Sequence, residues 1–131
     1  HEVARILKPG GLLVVETPRE ESLFKFVAHS LYHITGGRNT TLIRSSYNEH
    51  PGGHRLGFTR HSLEKLLAQK GFSVLRVEKR MMPLGAFFKE SMRRRGSPAN
   101  KLLFTGASVC LWFLSASLRM QNRMVVYARK T

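Results

Sequence analysis

Aspartate is absent from this chain. All eight acidic residues are glutamate, set against 22 lysines and arginines, for a formal net charge of +14. Many catalytic, metal and ribose-binding sites use Asp, so its absence narrows the chemistry open to the chain. Cysteine occurs once, at Cys110, so no disulfide can form within the chain and a reducing compartment is compatible. The apolar neighbours Val109 and Leu111 predict that Cys110 is a small core residue and not a nucleophile. The first residues do not run from charge to apolar stretch to small-residue cleavage site, and a cytoplasmic protein is expected. No G-x-G-x-x-G joins a strand to a helix: the glycine pairs at 10–11, 36–37 and 52–53 do not supply one.

The 131 residues suffice for one modest domain, and 42% hydrophobic with 23% charged residues is a globular composition. The charge is uneven. From Arg80 onward there are ten Lys or Arg against the single Glu90, a net of +9 (ten minus one). Such a balance fits nucleic acid, anionic lipid or acidic substrates, and equally a solvated basic surface.

The chain opens with Val3, Ile6 and Leu7 at helical spacing, as in the last two turns of a helix. Pro9 biases Lys8 away from helix, and Gly10-Gly11 permit a sharp reversal. Leu12, Leu13, Val14 and Val15 follow as a continuous apolar run, the pattern of a strand buried on both faces in a parallel sheet. Residues 22–32 read as a helix that Gly36-Gly37 breaks, and residues 36–57 as a long polar loop. Thr59 is a good N-cap for a helix bearing Leu63, Leu66 and Leu67, and Gly71 ends it. "FSVLRVE" (72–78) reads as a strand with Phe72 and Val74 on one face and Leu75 and Val77 on the other. "RMVVYAR" (123–129) reads as the last strand.

Between those strands lies an insert, 81–122. It holds a short amphipathic piece at 86–92, the run Arg93-Arg94-Arg95, a Gly-Ser-Pro break and an apolar segment. Residues 102–118 are 17 positions without a charge. That is just short of the roughly 18 or more that a membrane span wants. Thr105, Ser108, Ser115 and Arg119 fall along one side. A helix packed on the protein, one lying in a membrane interface and one spanning the bilayer all remain open. Trp112 and Phe113 are expected as core or interface anchors.

Three stretches together resemble the C-terminal half of class I S-adenosylmethionine-dependent methyltransferases: "ILKPGGLLVVETP" (6–18), "HRLGFTRHSLEKLLAQKGFSVLRVE" (54–78) and "RMVVYARK" (123–130). In that family an L-K-P-G-G turn leads into the fifth strand. An H-x-x-x-F-T-x-x-S-L motif then opens the next helix, and a G-F-x-V strand and a closing strand finish the sheet. Pro51, His54, Phe58 and Thr59 stand at the family's Pro-then-His and F-T places. The resemblance implies an α/β fold: a partial Rossmann-like sheet of three strands, flanked by helices. The last strand would run antiparallel, slotted between the other two. The 131 residues would be the C-terminal part of one methyltransferase domain with a helical insert at about 81–122. The glycine-rich turn and acidic residue that bind the cofactor in this family are missing. The cofactor-binding half is therefore expected upstream, and the chain alone is expected to be inactive and not to bind S-adenosylmethionine tightly.

The same resemblance places Glu16, Thr17, Pro18, His54 and Phe58 on the acceptor side of the pocket, at the carboxyl end of a strand where open α/β sheets bind ligands. The acceptor would be a small or lipid-like molecule. His54 and Glu16 are the catalytic candidates: an imidazole could orient an acceptor hydroxyl or take its proton, and a carboxylate could accept a hydrogen bond. Against these stand a loop-anchoring histidine and a structurally paired carboxylate. His29 and His33, four apart on a helix, lack a third ligand for zinc, and "HEVAR" has Arg5 where H-E-x-x-H needs its second His. Arg93, Arg94 and Arg95 beside the 102–118 segment suggest an anionic membrane surface, and a solvated loop remains the alternative. No aromatics are interleaved with them, so stacking of single-stranded nucleic acid is poorly supported. A second expectation is therefore a basic peripheral-membrane or interaction module derived from a degenerate methyltransferase. The strand at 12–15, lacking one neighbour, would expose unpaired backbone groups and favour self-association.

Overall fold

The computed structural model describes residues 2–40, 42–44, 57–85, 88–89 and 96–131. Helix α1 (Glu2–Ile6) ends at the K-P-G-G turn. Gly10 takes a left-handed φ of 80° there, and a Cβ on Gly11 would sit 2.8 Å from the Lys8 carbonyl oxygen. The turn therefore needs both glycines, one for its backbone angle and one for close approach. It delivers the chain into β1 (Leu12–Pro18).

Strand β1 is followed by α2 (Leu23–Ile34), α3 (Arg60–Gln69), β2 (Phe72–Arg80), α4 (Pro98–Ser117) and β3 (Arg123–Lys130). The fold is mixed α/β, with a three-stranded open sheet of order β1-β3-β2. β3 pairs antiparallel with both neighbours, so β1 and β2 run parallel to each other with the last strand between them, as expected. Lys130, at its end, ties the sheet to α1. Its backbone N–H donates to the Gly11 carbonyl at 2.9 Å, and its ammonium donates to the carbonyls of Ala4 and Leu7 at 2.6 and 2.7 Å. A cation at a helix C-terminus satisfies carbonyls that have no partner within the helix.

One face of the sheet carries the core. Met124, Val126 and Ala128 of β3 and Phe72 of β2 are buried beneath Leu63 and Leu67 of α3, with Ala4, Leu7, Leu13, Phe58, Val74 and Val77 around them. Removing each large side chain from water stabilises the fold by roughly 1.5–3 kcal/mol. Val77 belongs to this face, contrary to the alternation expected from the sequence. The pairing with β3 shifts between Val74 and Arg76, so Leu75 drops out of register and is exposed while Val77 lies opposite Val126. An inserted residue of this kind returns the following side chains to the original face.

The expected burial of the 12–15 run on both faces is not found. Leu13 and Val15 are half-buried, whereas Leu12 and Val14 are exposed. β1 pairs only with β3 among the described residues, so it is an edge of the sheet.

Capping places the helices. The Ser22 hydroxyl accepts from the Lys25 N–H at 3.3 Å, and α2 runs out at Gly36 and Gly37, both in the left-handed region. Thr59 and Ser62 form a reciprocal capping box at the start of α3. Ser97 caps α4 with Pro98 in its first turn. α4 closes on Arg119, whose φ of 54° is one that non-glycine residues rarely adopt. Leu66 of α3 is exposed, unlike Leu63 and Leu67.

Candidate functional site

Four segments meet at the carboxyl end of β1: the end of that strand, the start of α2, the residues leading into α3, and the link 118–122 from α4 into β3. Backbone hydrogen bonds join them. The Phe58 N–H donates to the Pro18 carbonyl at 3.4 Å, and the Glu20 N–H donates back to the Phe58 carbonyl at 3.1 Å. Arg19 and Phe58 thus form a short parallel bridge. The Arg19 N–H donates to the Asn122 carbonyl at 3.0 Å, and the Leu23 N–H to the Met120 carbonyl at 3.2 Å. The Ser115 hydroxyl also donates to Met120, at 2.6 Å, which pins the end of α4 to the same place.

The predicted acceptor-side residues divide between the two faces of the strand. Pro18 and Phe58 are brought together by the hydrogen bond above. Thr17 is buried on the core face, paired across the strands with Met124. Glu16 points the other way and is half-exposed, its carboxylate accepting from the Arg123 guanidinium at 2.9 Å. On that same face Glu78 is ion-paired with Arg76 at 3.0 Å and accepts from Arg80 at 3.1 Å. The Arg80 guanidinium is held above its ordinary value, first by its hydrogen bond to Glu78, then by Tyr127 and the Glu78 charge, with Glu16 contributing least. The result is a rim of alternating charge across the ends of all three strands. Its carboxylates can accept hydrogen bonds from a hydroxyl or amine, and its guanidinia can hold an anion. His54, Pro51 and the Arg93–Arg95 run lie outside the described residues.

Sequence reasoning missed the polar group behind this rim. Arg19 is buried, donating to Glu21 at 2.9 Å and to the Gln121 carbonyl at 3.4 Å. Lys25 is buried and ion-paired with Glu20. Gly57 lies so close over that pair that a Cβ there would collide with the Glu20 carboxylate and the Lys25 ammonium. Gln121 Oε1 is buried and has no hydrogen-bond partner among the described residues. The signal was present in the alternation Arg19-Glu20-Glu21 ahead of Lys25, but it resembles any solvated surface stretch. Only the fold shows that it is covered.

This junction does not fit S-adenosylmethionine. Between β1 and α2 the chain reads Arg19-Glu20-Glu21-Ser22, with no glycine to admit a ligand close to the backbone. The Ser22 hydroxyl already accepts an amide of the helix N-terminus, and Arg19 and Lys25 are engaged by Glu21 and Glu20. Two open hollows lie elsewhere, one between α3 and the bulged part of β2, the other beside Ile34, Thr35, Arg38 and Asn39.

No family model, no curated protein and no solved structure matches the chain. The site must be read from its own residues. His29 and His33 are both exposed on α2, and no group of three metal-ligating side chains occurs among the described residues. Cys110, expected in the core, is instead exposed on α4. Apolar sequence neighbours do not bury a residue on a helix whose outward side is itself apolar.

Proposed function

We propose that these 131 residues form the acceptor-side part of a Rossmann-like class I S-adenosylmethionine-dependent methyltransferase. The strand order carries the reading. Two parallel strands with a reversed last strand between them is the arrangement the resemblance implied. The contact of Phe58 with Pro18 supports it further, because it brings the F-T motif to the end of the E-T-P strand.

In this reading a small or lipid-like acceptor lies at the end of β1 beside Glu16 and Pro18, with Thr17 and Phe58 supporting the strand from the core face and His54 assigned by the resemblance. These residues orient an oxygen, nitrogen or carbon nucleophile for in-line attack, and catalysis rests mainly on that positioning. Glu16 accepts a hydrogen bond from the acceptor, and a base is used only where the acceptor carries a proton that must leave. S-adenosylmethionine would supply the methyl group from residues outside this set, so the 131-residue chain alone transfers no methyl group.

The test compares two polypeptides. The one its gene encodes in full is expected to bind S-adenosylmethionine by calorimetry and to release labelled S-adenosylhomocysteine. The 131-residue chain is expected to give no heat. Tight binding by the short chain would overturn the acceptor-side assignment, and no binding by the full polypeptide would overturn the family.

A further inference from the structure

Helix α4 is apolar on its outward side as well as on its inner one, where Leu111 and Trp112 are half-buried. Its buried residues are two serines, Ser108 and Ser115. Its outward side presents Leu102, Leu103, Cys110, Phe113 and Leu114, all exposed and none charged. Leu102 and Leu103 are 76% and 75% exposed, and Phe113 is 57% exposed. α4 is long and apolar enough by composition to cross a membrane, and only 11% of its most apolar stretch is buried. A soluble helix normally carries polar residues on its outward side, and a continuous apolar patch of this length marks an interaction surface.

We infer that this face of α4 docks in the interface of an anionic phospholipid bilayer, lying along the surface and not spanning it. Three observations select that occupant. First, the helix is tied to the domain along its inner side. The Trp112 indole donates to the Met82 carbonyl at 2.8 Å, just past the end of β2, and the Ser115 hydroxyl donates to the Met120 carbonyl, just before the central strand. Phe24 of α2, Met81 and Leu111 line a small hollow between them. A spanning helix would have to break these contacts and drag the middle of the sheet with it.

Second, the uncharged stretch is bounded by Lys101 and Arg119, and the Lys79 ammonium joins Arg119 by donating to its carbonyl at 3.4 Å. Cations at the margins of an apolar helix face suit lipid headgroups, each adding to attraction for an anionic surface. Third, the chain carries +14. Two copies meeting through this face would bring like charges together, whereas an anionic surface draws them in. This inference is independent of the methyltransferase reading.

Cys110, the sole cysteine, lies on the outward face and gives a probe that needs no substitution. The chain labelled there with an environment-sensitive nitrobenzoxadiazole group is mixed with vesicles of phosphatidylcholine, alone or with about one third phosphatidylserine. The expected result is a blue shift with the anionic vesicles, at least about tenfold tighter binding to them than to neutral ones, and release by high salt. Leu103→Gln with Phe113→Gln is expected to weaken vesicle binding by about tenfold or more with an unchanged circular dichroism spectrum, because both side chains are already exposed. Absence of a blue shift on anionic vesicles would overturn the inference. So would retention at high salt, which marks a spanning helix. Self-association without lipid that the double substitution abolishes would overturn it too, by making the face a protein interface.

Discussion

Helices α3 and α4 solve opposite problems. α3 is ten residues long, turns Leu63 and Leu67 onto the sheet at 3% and 6% exposure, and shows Arg60, His61, Lys65 and Gln69 to solvent. α4 is twice that length, turns serines inward and shows leucines and a phenylalanine outward. α3 needs nothing beyond this chain, because its apolar stripe is matched by Phe72 and by Val126 and Ala128 of the central strand. α4 is held by a few polar ties and a narrow seam, and most of its apolar surface has no counterpart among the described residues. Hydrophobic content alone therefore does not identify a core helix. What matters is whether the apolar side faces a surface that can cover it.

The sharpest way to break the contrast is to truncate a leucine on each helix. Leu67→Ala should lower stability in urea unfolding by about 3 kcal/mol, through lost burial and the cavity left behind. Leu103→Ala should change it by no more than about 0.5 kcal/mol. Equal losses would mean that α4 is as much a part of the core as α3.

A smaller effect is expected at the ties that hold α4. Trp112→Phe keeps most of the apolar ring and removes the donor to Met82, which should cost about 1 kcal/mol in the same measurement. Hydrogen exchange should then show faster opening of α4 than of α3. Unchanged protection would show that the seam, and not the hydrogen bond, secures the helix.

At the caps the two helices should behave alike. Thr59→Ala and Ser97→Ala each remove a hydroxyl that accepts a backbone N–H, and each should cost about 1 kcal/mol where unfolding of the helix is coupled to that of the domain. If Ser97→Ala leaves the melting curve untouched while Thr59→Ala shifts it, then α4 unfolds separately from the sheet.

The smallest change is expected at Glu16, where the pair with Arg123 is half-exposed on both sides. A double-mutant cycle with Glu16→Gln and Arg123→Gln should give a coupling of no more than about 1 kcal/mol. Under the proposed methyltransferase reading, Glu16→Gln in the full polypeptide should reduce methyl transfer more than it reduces stability. Loss of activity and stability in proportion would return Glu16 to a purely structural role.

Local rules accounted for much of the architecture. The K-P-G-G turn, the Thr59 cap, the Gly71 stop and the two later strands lie where residue chemistry puts them, because each depends on backbone angles or neighbours a few residues away. The bulge at Leu75 was not legible. It depends on how β2 meets β3, and the alternation of Phe72, Val74, Leu75 and Val77 gives no sign of it. The polar group of Arg19, Glu20, Lys25 and Gly57 was hidden for the same reason, since the segments that cover it come from distant parts of the chain. The resemblance placed Glu16 at the end of a strand, but that it is taken up by Arg123, 107 positions away, was not legible.

The order of residues settled the elements, their ends and the strong positive charge, because propensity, capping and composition act locally or by simple count. It also supplied the apolar run from Leu102 to Leu118, but not the direction in which that run faces. Folding decided that direction. Trp112 and Ser115 are held by hydrogen bonds to the links that follow β2 and precede β3, and a rigid helix held by one side must present the other. The leucines of α4 are exposed as a consequence.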